Sequence, residues 1–241
     1  MSLAGRTATP VTMPVPVRTG GFGGAAGLAA FLHDERIDAL VDATHPFAAA
    51  MSVNAAAAAA GSGTPLVVLR RPPWTPVTGD RWIDAGSIAD AAGALGAAPR
   101  RVFLALGRNE IAAFEAAPQH HYLVRSVDPV VPPPALPHAA YLTARGPFAE
   151  AAEHALLKEH RIDLVCCKNS GGAAAYGKIA AARALALPVI VVRRPAVAAV
   201  AAATAILDSV DAMVRALGRL SDRRDGHPGA QRPAPATPRG V

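Results

Sequence analysis

Ile37-Asp38-Ala39-Leu40-Val41-Asp42-Ala43-Thr44-His45-Pro46-Phe47 is the stretch from which the fold can be read. Its apolar run (Ile37, Ala39, Leu40, Val41) stops at Asp42, Thr44, His45 and Pro46. An Ala-rich segment of residues 48 to 60 follows, closed by Gly61-Ser62-Gly63. A short aliphatic run, a polar loop and a helix make one βα unit of a parallel sheet. In open α/β sheets ligands gather beyond the carboxyl ends of the strands, which gives the polar groups from Asp42 to His45 a reason to be there.

The stretch has an echo. Arg36-Ile37-Asp38 recurs as Arg161-Ile162-Asp163, 125 residues later, and the second copy ends in Cys166-Cys167 before Lys168-Asn169-Ser170-Gly171-Gly172. Each copy runs through a helix to an apolar strand and the same triplet, Leu66 to Leu69 before Arg70-Arg71-Pro72 and Val189 to Val192 before Arg193-Arg194-Pro195. Gly21 matches Gly146, and Trp82-Ile83 with the helix cap Ser87 matches Ile206-Leu207 with Ser209. Two similar βα halves are expected, facing each other across a cleft. The fold class is α/β, with two Rossmann-like parallel-sheet domains of similar topology. Residues 1–98 form the first, 99–220 the second, and 221–241, rich in Pro, Gly, Arg and Asp, a disordered tail.

The 241 residues suffice for two modest domains. The chain is 51% hydrophobic but only 5% aromatic, so its core is aliphatic and rich in Ala. A net charge of +6 comes from dispersed arginines, with no basic helix face carrying aromatics, so a polyanionic small ligand is expected rather than nucleic acid. The two cysteines are adjacent and point to opposite faces of a strand, which makes neither a disulfide framework nor a metal site. Met1 to Arg6 carries no apolar export segment, and Arg193-Arg194-Pro195 breaks the apolar stretch from Ala184 to Leu207, so neither export nor a membrane span is expected and the location is cytoplasmic.

The second half opens with a complete unit. Val102 to Leu106 reads as a strand, Gly107 to Glu110 as a turn, Ile111 to Ala117 as a helix and Tyr122 to Val124 as a strand ending at Arg125-Ser126. The first half has no counterpart, so its domain is expected to lack about one β-α-β stretch at the front. Pro14 to Val17 reads as an edge strand. Gly21-x-Gly23-x-x-Ala26 fits a dinucleotide fingerprint formally, but the strand before it is broken by Pro and the repeat lacks the pattern, so helix-start glycines are the preferred reading. Strand Trp82-Ile83 and a helix capped by Ser87 close the first half, Tyr141 to Thr143 leads to Arg145-Gly146, and residues 210 to 220 form the last helix.

The polar clusters all fall at strand ends. Lys168 to Gly172 joins a cation, an amide, a hydroxyl and two glycines before a helix, a combination that suits an anion; a plain helix start capped by Ser170 is the alternative. Lys178 reads as either a ligand contact or a solvent-facing lysine. His45, extended by Pro46, could donate a proton or could be a hydrogen-bonded turn histidine. His120, His121 and His138 lack metal-ligand spacing.

These residues resemble the precorrin-6A reductase family, which includes the cobalt-precorrin form. The likeness runs through Ser2 to Thr7, Gly21 to Gly24, Asp42-Ala43-Thr44-His45-Pro46-Phe47-Ala48, Arg125-Ser126, Gly146-Pro147-Phe148 and Lys168-Asn169-Ser170-Gly171-Gly172. It implies two Rossmann-like domains and NADPH-dependent reduction of one C=C bond of the macrocycle precorrin-6A to precorrin-6B in cobalamin biosynthesis. It also implies a front strand and Gly-Gly-Thr loop cradling the cofactor phosphates, the unit the repeat finds missing. The candidate cofactor contacts are then Ser2, Gly21, Thr44 and Arg6, the last at the NADP 2′-phosphate. The candidate contacts to the polycarboxylate substrate are Ser126, Arg145, Lys168, Asn169, Ser170, Gly171 and Lys178. His45 is the candidate catalytic proton source, and no metal is expected. A two-lobed small-molecule binding protein and a nucleotide-sugar or sugar-phosphate enzyme on the same fold are the competing readings.

Overall fold

The computed structural model describes residues 1–3, 5, 12–196 and 203–225, the last four of these by backbone alone. Arg6 and the tail beyond residue 225 lie outside the described residues.

The first half begins with two short parallel strands, β1 (Ser2–Leu3) and β2 (Arg18–Thr19). The strand expected at Pro14 to Val17 falls at β2 instead, because Pro14 and Pro16 have no N–H to give to a ladder. Then come α1 (Gly24–Asp34), β3 (Leu40–Asp42), α2 (Ala49–Ser62) and β4 (Leu66–Leu69). The small residues of α2 pay off in packing: Ala55, Ala56, Ala58 and Ala59 cluster with Leu28 and Leu32 of α1 and with Leu66 and Val68 of β4.

Next in the chain are β5 (Arg81–Ala85), α3 (Ile88–Gly93) and β6 (Arg101–Ala105). Ser87 caps α3 by accepting from Asp90 N–H at 3.0 Å, as its sequence position predicts. A 3-10 helix (Arg108–Ala116) replaces the helix expected from Ile111, and β7 (His121–Ser126), β8 (Ala139–Thr143) and α4 (Glu150–Glu159) follow. The chain continues through β9 (Leu164–Lys168), α5 (Gly177–Ala184), β10 (Pro188–Val192), β11 (Ala205–Leu207) and α6 (Val210–Asp225). Helix α6 takes in residues 221–225, the start of the expected tail, and none of the described helices is long and apolar enough to cross a membrane.

Both Arg-Ile-Asp triplets are helix stops. Arg36 and Arg161 hold φ of 51° and 50°, a conformation that costs a side-chain-bearing residue about 1–2 kcal/mol. Ile37 N–H then reaches back to Leu32 O and Ile162 N–H to Leu157 O, each at 2.9 Å. The same strain at the same place in each half marks the repeat as structural.

Every described strand pair is parallel, and the strands form α/β sheets. The large sheet has the order β5-β10-β9-β6-β7-β8, the doubly wound order expected of a Rossmann-like domain. Its central strands are buried on both faces: Phe103, Val165 and Cys167 point to one core, Leu104, Leu164 and Cys166 to the other. The first half forms a three-stranded sheet, β11-β4-β3, beside the β1-β2 pair, and no described strand is the counterpart of β6.

The last strands are exchanged. Trp82 and Ile83 of β5 pair with Val189 and Ile190 of β10, while Ile206 and Leu207 of β11 pair with Val68 and Leu69 of β4. The two strands expected to match each other do match, but each completes the other half's sheet. A division of the chain at residue 98 therefore places β5 and β11 with halves in whose sheets they do not pair. The Arg-Arg-Pro triplets are the exchange points: Arg70 N–H bonds Leu207 O at 2.7 Å, and Arg193 N–H bonds Ala85 O at 2.8 Å. After β4, a Pro-rich segment carries the chain across and plants Trp74 in the second half's core.

Candidate active site

In the large sheet the chain winds outward from β6 through β7 to β8 and, in the other direction, from β9 to β10. The switch point lies between the carboxyl ends of β6 and β9, where a crevice is expected. A recess of about 220 Å³ opens there, lined by Leu106 to Glu110, Ser126 to Asp128 and Lys168. Lys168 spans the switch point: its ammonium donates to both Glu110 carboxylate oxygens at 2.8 Å. The same carboxylate accepts Gly107 N–H at 2.7 Å, so one acid ties the loop after β6 to the end of β9.

The end of β3 meets this site from the other half. Asp42 is buried and accepts from Thr44 N–H at 3.0 Å, Thr44 Oγ1 at 2.6 Å and Ser52 Oγ at 2.6 Å. That turn presents His45. Phe47 N–H donates to His45 Nδ1 at 3.3 Å, which leaves the ring proton on Nε2, and Nε2 faces Ser170 Oγ at 3.1 Å. His45 keeps an exposed edge, but the atoms around the imidazole desolvate it in part, and Lys168 and Arg71 add positive charge that outweighs Glu110; together these lower His45 to about 4. At neutral pH the free chain thus presents a neutral imidazole with its Nε2–H aimed at Ser170.

The loop of Lys168 to Gly172 is not the start of a helix. A turn through Ala173 to Tyr176 intervenes and α5 begins at Gly177, so Ser170 caps nothing and its hydroxyl serves His45 instead. The loop is held by the crossing segment: Asn169 Oδ1 accepts Trp74 N–H at 2.8 Å, Asn169 Nδ2 donates to Trp74 O at 2.9 Å, and Trp74 Nε1 donates to Gly172 O at 2.9 Å. Both polar ends of the Asn169 side chain are used in this way, so it positions the loop. Gly171, at φ 67°, packs where a Cβ would collide with Pro72 O and the Arg194 guanidinium.

Lys178 does not line the recess. It is 4% exposed, donates to Ala175 O at 2.5 Å and lies 4.8 Å from the Trp74 ring, and burial lowers its pKa. Residues 171–176, a loop and turn and not the continuous helix assumed from spacing, separate it from Ser170, and it points inward. Ser126 is in the recess, buried, with Oγ donating to Asp128 O at 2.6 Å. Arg145 is exposed beyond β8. Ser2 lies in β1 and is exposed. Thr44 has its hydroxyl committed to Asp42. Gly21 sits in the loop before α1, its carbonyl accepting from Arg18 at 3.0 Å, with the Arg18 guanidinium 4.2 Å over the Phe22 ring. Gly20, Gly23 and Gly24 all have positive φ and open space around them, and α1 has no side-chain cap.

Sequence reasoning missed Glu110 as the partner of Lys168, Trp74 as the loop's anchor and the separate fates of Arg71 and Arg194. The Arg-Arg-Pro echo was the available signal for the last. It also missed that Arg125 is buried, bonded through both terminal nitrogens to Glu153 and stacked 3.7 Å over Phe148, so that the Arg125-Ser126 motif couples a core ion pair to a site hydroxyl. A second, larger cleft of about 520 Å³, lined by Pro72, Trp74, Phe148, Gly172 and Tyr176, lies on the aromatic side of the same loop. No lysine, arginine or histidine among the described residues lines it. Among the described residues no group of three or more His, Cys, Asp or Glu could hold a metal ion.

The fold and these motifs have relatives. A model of the family described as "Precorrin-6x reductase CbiJ/CobK" matches residues 1–217. A "Precorrin-6A reductase" of Sinorhizobium sp is 60% identical over 194 residues, covering 80% of this chain and 74% of that protein. One from Rhodobacter capsulatus is 52% identical over 198 residues, covering 82% and 79%. A solved structure, "CobK precorrin-6A reductase", superposes with a TM-score of 0.86 at 48% identity, covering 91% of this chain and 86% of that one. With a family match over nearly the whole described length and relatives at this identity, the chain belongs to the precorrin-6x reductase family.

Proposed function

We propose that this chain reduces a C=C bond of precorrin-6A to give precorrin-6B in cobalamin biosynthesis, with NADPH as the reductant. The observation that supports this most is the meeting of His45 and Ser170 beside the Lys168–Glu110 pair, at the carboxyl ends of strands from both halves, in a chain that belongs to this family.

The residues present fit a dinucleotide. The loop from Gly20 to Gly24 leaves open space at an uncapped helix start with no acid in its first turn, which favours an anionic group. Arg6, expected at the 2′-phosphate, follows β1, the position in such a domain where NADP is distinguished from NAD. The bound nicotinamide would supply a hydride. Lys168, already neutralised in part by Glu110, would exchange some of that contact for a substrate carboxylate. His45 would hold the proton for the second carbon at Nε2, with Ser170 fixing the ring's direction. Burial and nearby cations together hold the His45 pKa down, and substrate carboxylates arriving against Lys168 and Arg71 would offset the second of these and raise it as the site fills.

Incubating the chain with precorrin-6A and NADPH tests the reading. Substrate-dependent NADPH oxidation, with a product heavier by two hydrogens, is expected. Absence of both, from a chain shown to be folded by circular dichroism, would overturn it.

A further inference from the structure

Arg71 and Arg194 are equivalents in the internal repeat, each the second residue of an Arg-Arg-Pro triplet, the first after β4 and the second after β10. Their side chains have opposite fates. Arg194 is consumed: Nε donates to Asn169 O at 2.8 Å, one terminal nitrogen to Arg71 O at 2.7 Å and the other to Pro72 O at 3.2 Å. It staples together the two segments that cross between the sheets and the loop that carries Ser170. Arg71 is exposed, and among the described residues no hydrogen bond or ion pair holds its guanidinium. Its stem lies against Gly172, where a Cβ would come within 3.0 Å of Arg71 Cδ, so the glycine leaves the arginine room to lie along the loop.

The charges around this position are unbalanced. The groups acting on His45 are the cations Lys168, Arg71 and Arg194 and one carboxylate, Glu110, which Lys168 already occupies with two hydrogen bonds. The Arg71 stem against Gly172 and the Arg194 guanidinium on Asn169 O set two more cations along the loop that carries Ser170, and among the described residues no carboxylate is bonded to either, so positive charge is in excess there. Of the two, only Arg71 has donors to spare, and a guanidinium offers a carboxylate two parallel N–H groups.

We propose that Arg71 is a substrate-positioning residue: it receives a carboxylate of a polyanionic tetrapyrrole ligand beside His45, while Arg194, its counterpart in the repeat, serves only as the staple. This rests on the reading of the site as one for a polycarboxylate macrocycle. It deepens that reading by naming the side chain that takes the anion and by separating two arginines that the sequence treats alike. An anion seated on Arg71 also cancels part of the positive field on His45 and so links ligand binding to proton uptake there.

The test has two arms, both on the 241-residue chain. In the first, binding of uroporphyrin, a tetrapyrrole whose side chains all end in carboxylates, is followed by fluorescence, and the His45 ring is followed by nitrogen-edited NMR as pH is varied with and without uroporphyrin. Arg71→Ala is expected to weaken binding about tenfold or more, the effect of losing a charge-assisted contact, with Tm unchanged. The upward shift of the His45 titration on binding is expected to shrink. Arg71→Lys should recover part of the affinity. Arg194→Ala should instead lower Tm. Wild-type binding and His45 response retained in full by Arg71→Ala, or no binding by the wild type, would overturn the proposal. In the second arm, KM and kcat are measured with precorrin-6A and NADPH. A rise in KM in Arg71→Ala with kcat less affected supports positioning, and an unchanged KM overturns it. If no chain reduces precorrin-6A, the reading of the reaction fails, and the uroporphyrin arm still decides the role of Arg71.

Discussion

His45 Nε2 lies 3.1 Å from Ser170 Oγ, and the two residues stand 125 positions apart, the offset of the internal repeat. Equivalent loops of the two halves thus touch each other at equivalent residues. The contact joins an imidazole from one loop to a hydroxyl from the other, so the repeat has diverged where the chemistry is.

Ser170→Ala removes that contact and leaves the ring held only by Phe47 N–H. A neutral hydrogen bond is worth about 0.5–1.5 kcal/mol, so turnover is expected to fall about threefold to tenfold if the bond orients the ring in the transition state. Tm should change little, because Ser170 is only partly buried. Steady-state kinetics with thermal unfolding on the same samples checks both halves of this expectation.

His45 gives the protein a signature in acid. Its folded pKa, about 4, is below the ordinary 6.5, so between those values the unfolded chain binds the extra proton. Stability from this group is present above pH 6.5 and is lost as pH falls towards 4. His45→Asn should therefore flatten the fall of Tm across that window relative to wild type. Glu110→Gln, which removes the carboxylate that favours the charged imidazole, should move the His45 titration lower still, read by NMR.

The Arg125–Glu153 pair is buried, with side chains 6% and 3% exposed. Glu153→Ala leaves a guanidinium uncompensated between Phe103 and Phe148, and a loss of about 3–5 kcal/mol is expected. The double variant Arg125→Met with Glu153→Leu should recover most of it, since similar-sized apolar side chains carry no desolvation cost. Denaturant titration of the three proteins decides the matter; equal losses in single and double variants would show that the pair itself is net stabilising.

Gly171→Ala should displace the loop that carries Ser170. The left-handed backbone at 171 costs an alanine about 1–2 kcal/mol, and the new methyl meets the Pro72 carbonyl and the Arg194 guanidinium. The expected outcome is a lower Tm together with loss of turnover, whereas Gly61→Ala, in open space in the last turn of α2, should leave turnover alone and hold or slightly raise Tm.

The sequence by itself determined the two parallel βα halves, their echo at 125 residues, the cap at Ser87, and the placing of Asp42 to His45 and Lys168 to Gly172 at strand ends. These follow from local rules, since strand length, helix stops and caps depend on residues within a few positions of one another. Tertiary structure alone decided that β5 and β11 trade sheets, because a buried parallel strand has the same aliphatic pattern whichever neighbour it pairs with, and a Pro-rich segment can lead to either. It alone decided that Lys178 is buried beneath Trp74, because the turn before α5 resets the helical phase that spacing assumes. It also decided which arginine of two identical triplets is a staple and which is free, because that depends on where carbonyls from distant segments converge, and they converge on Arg194.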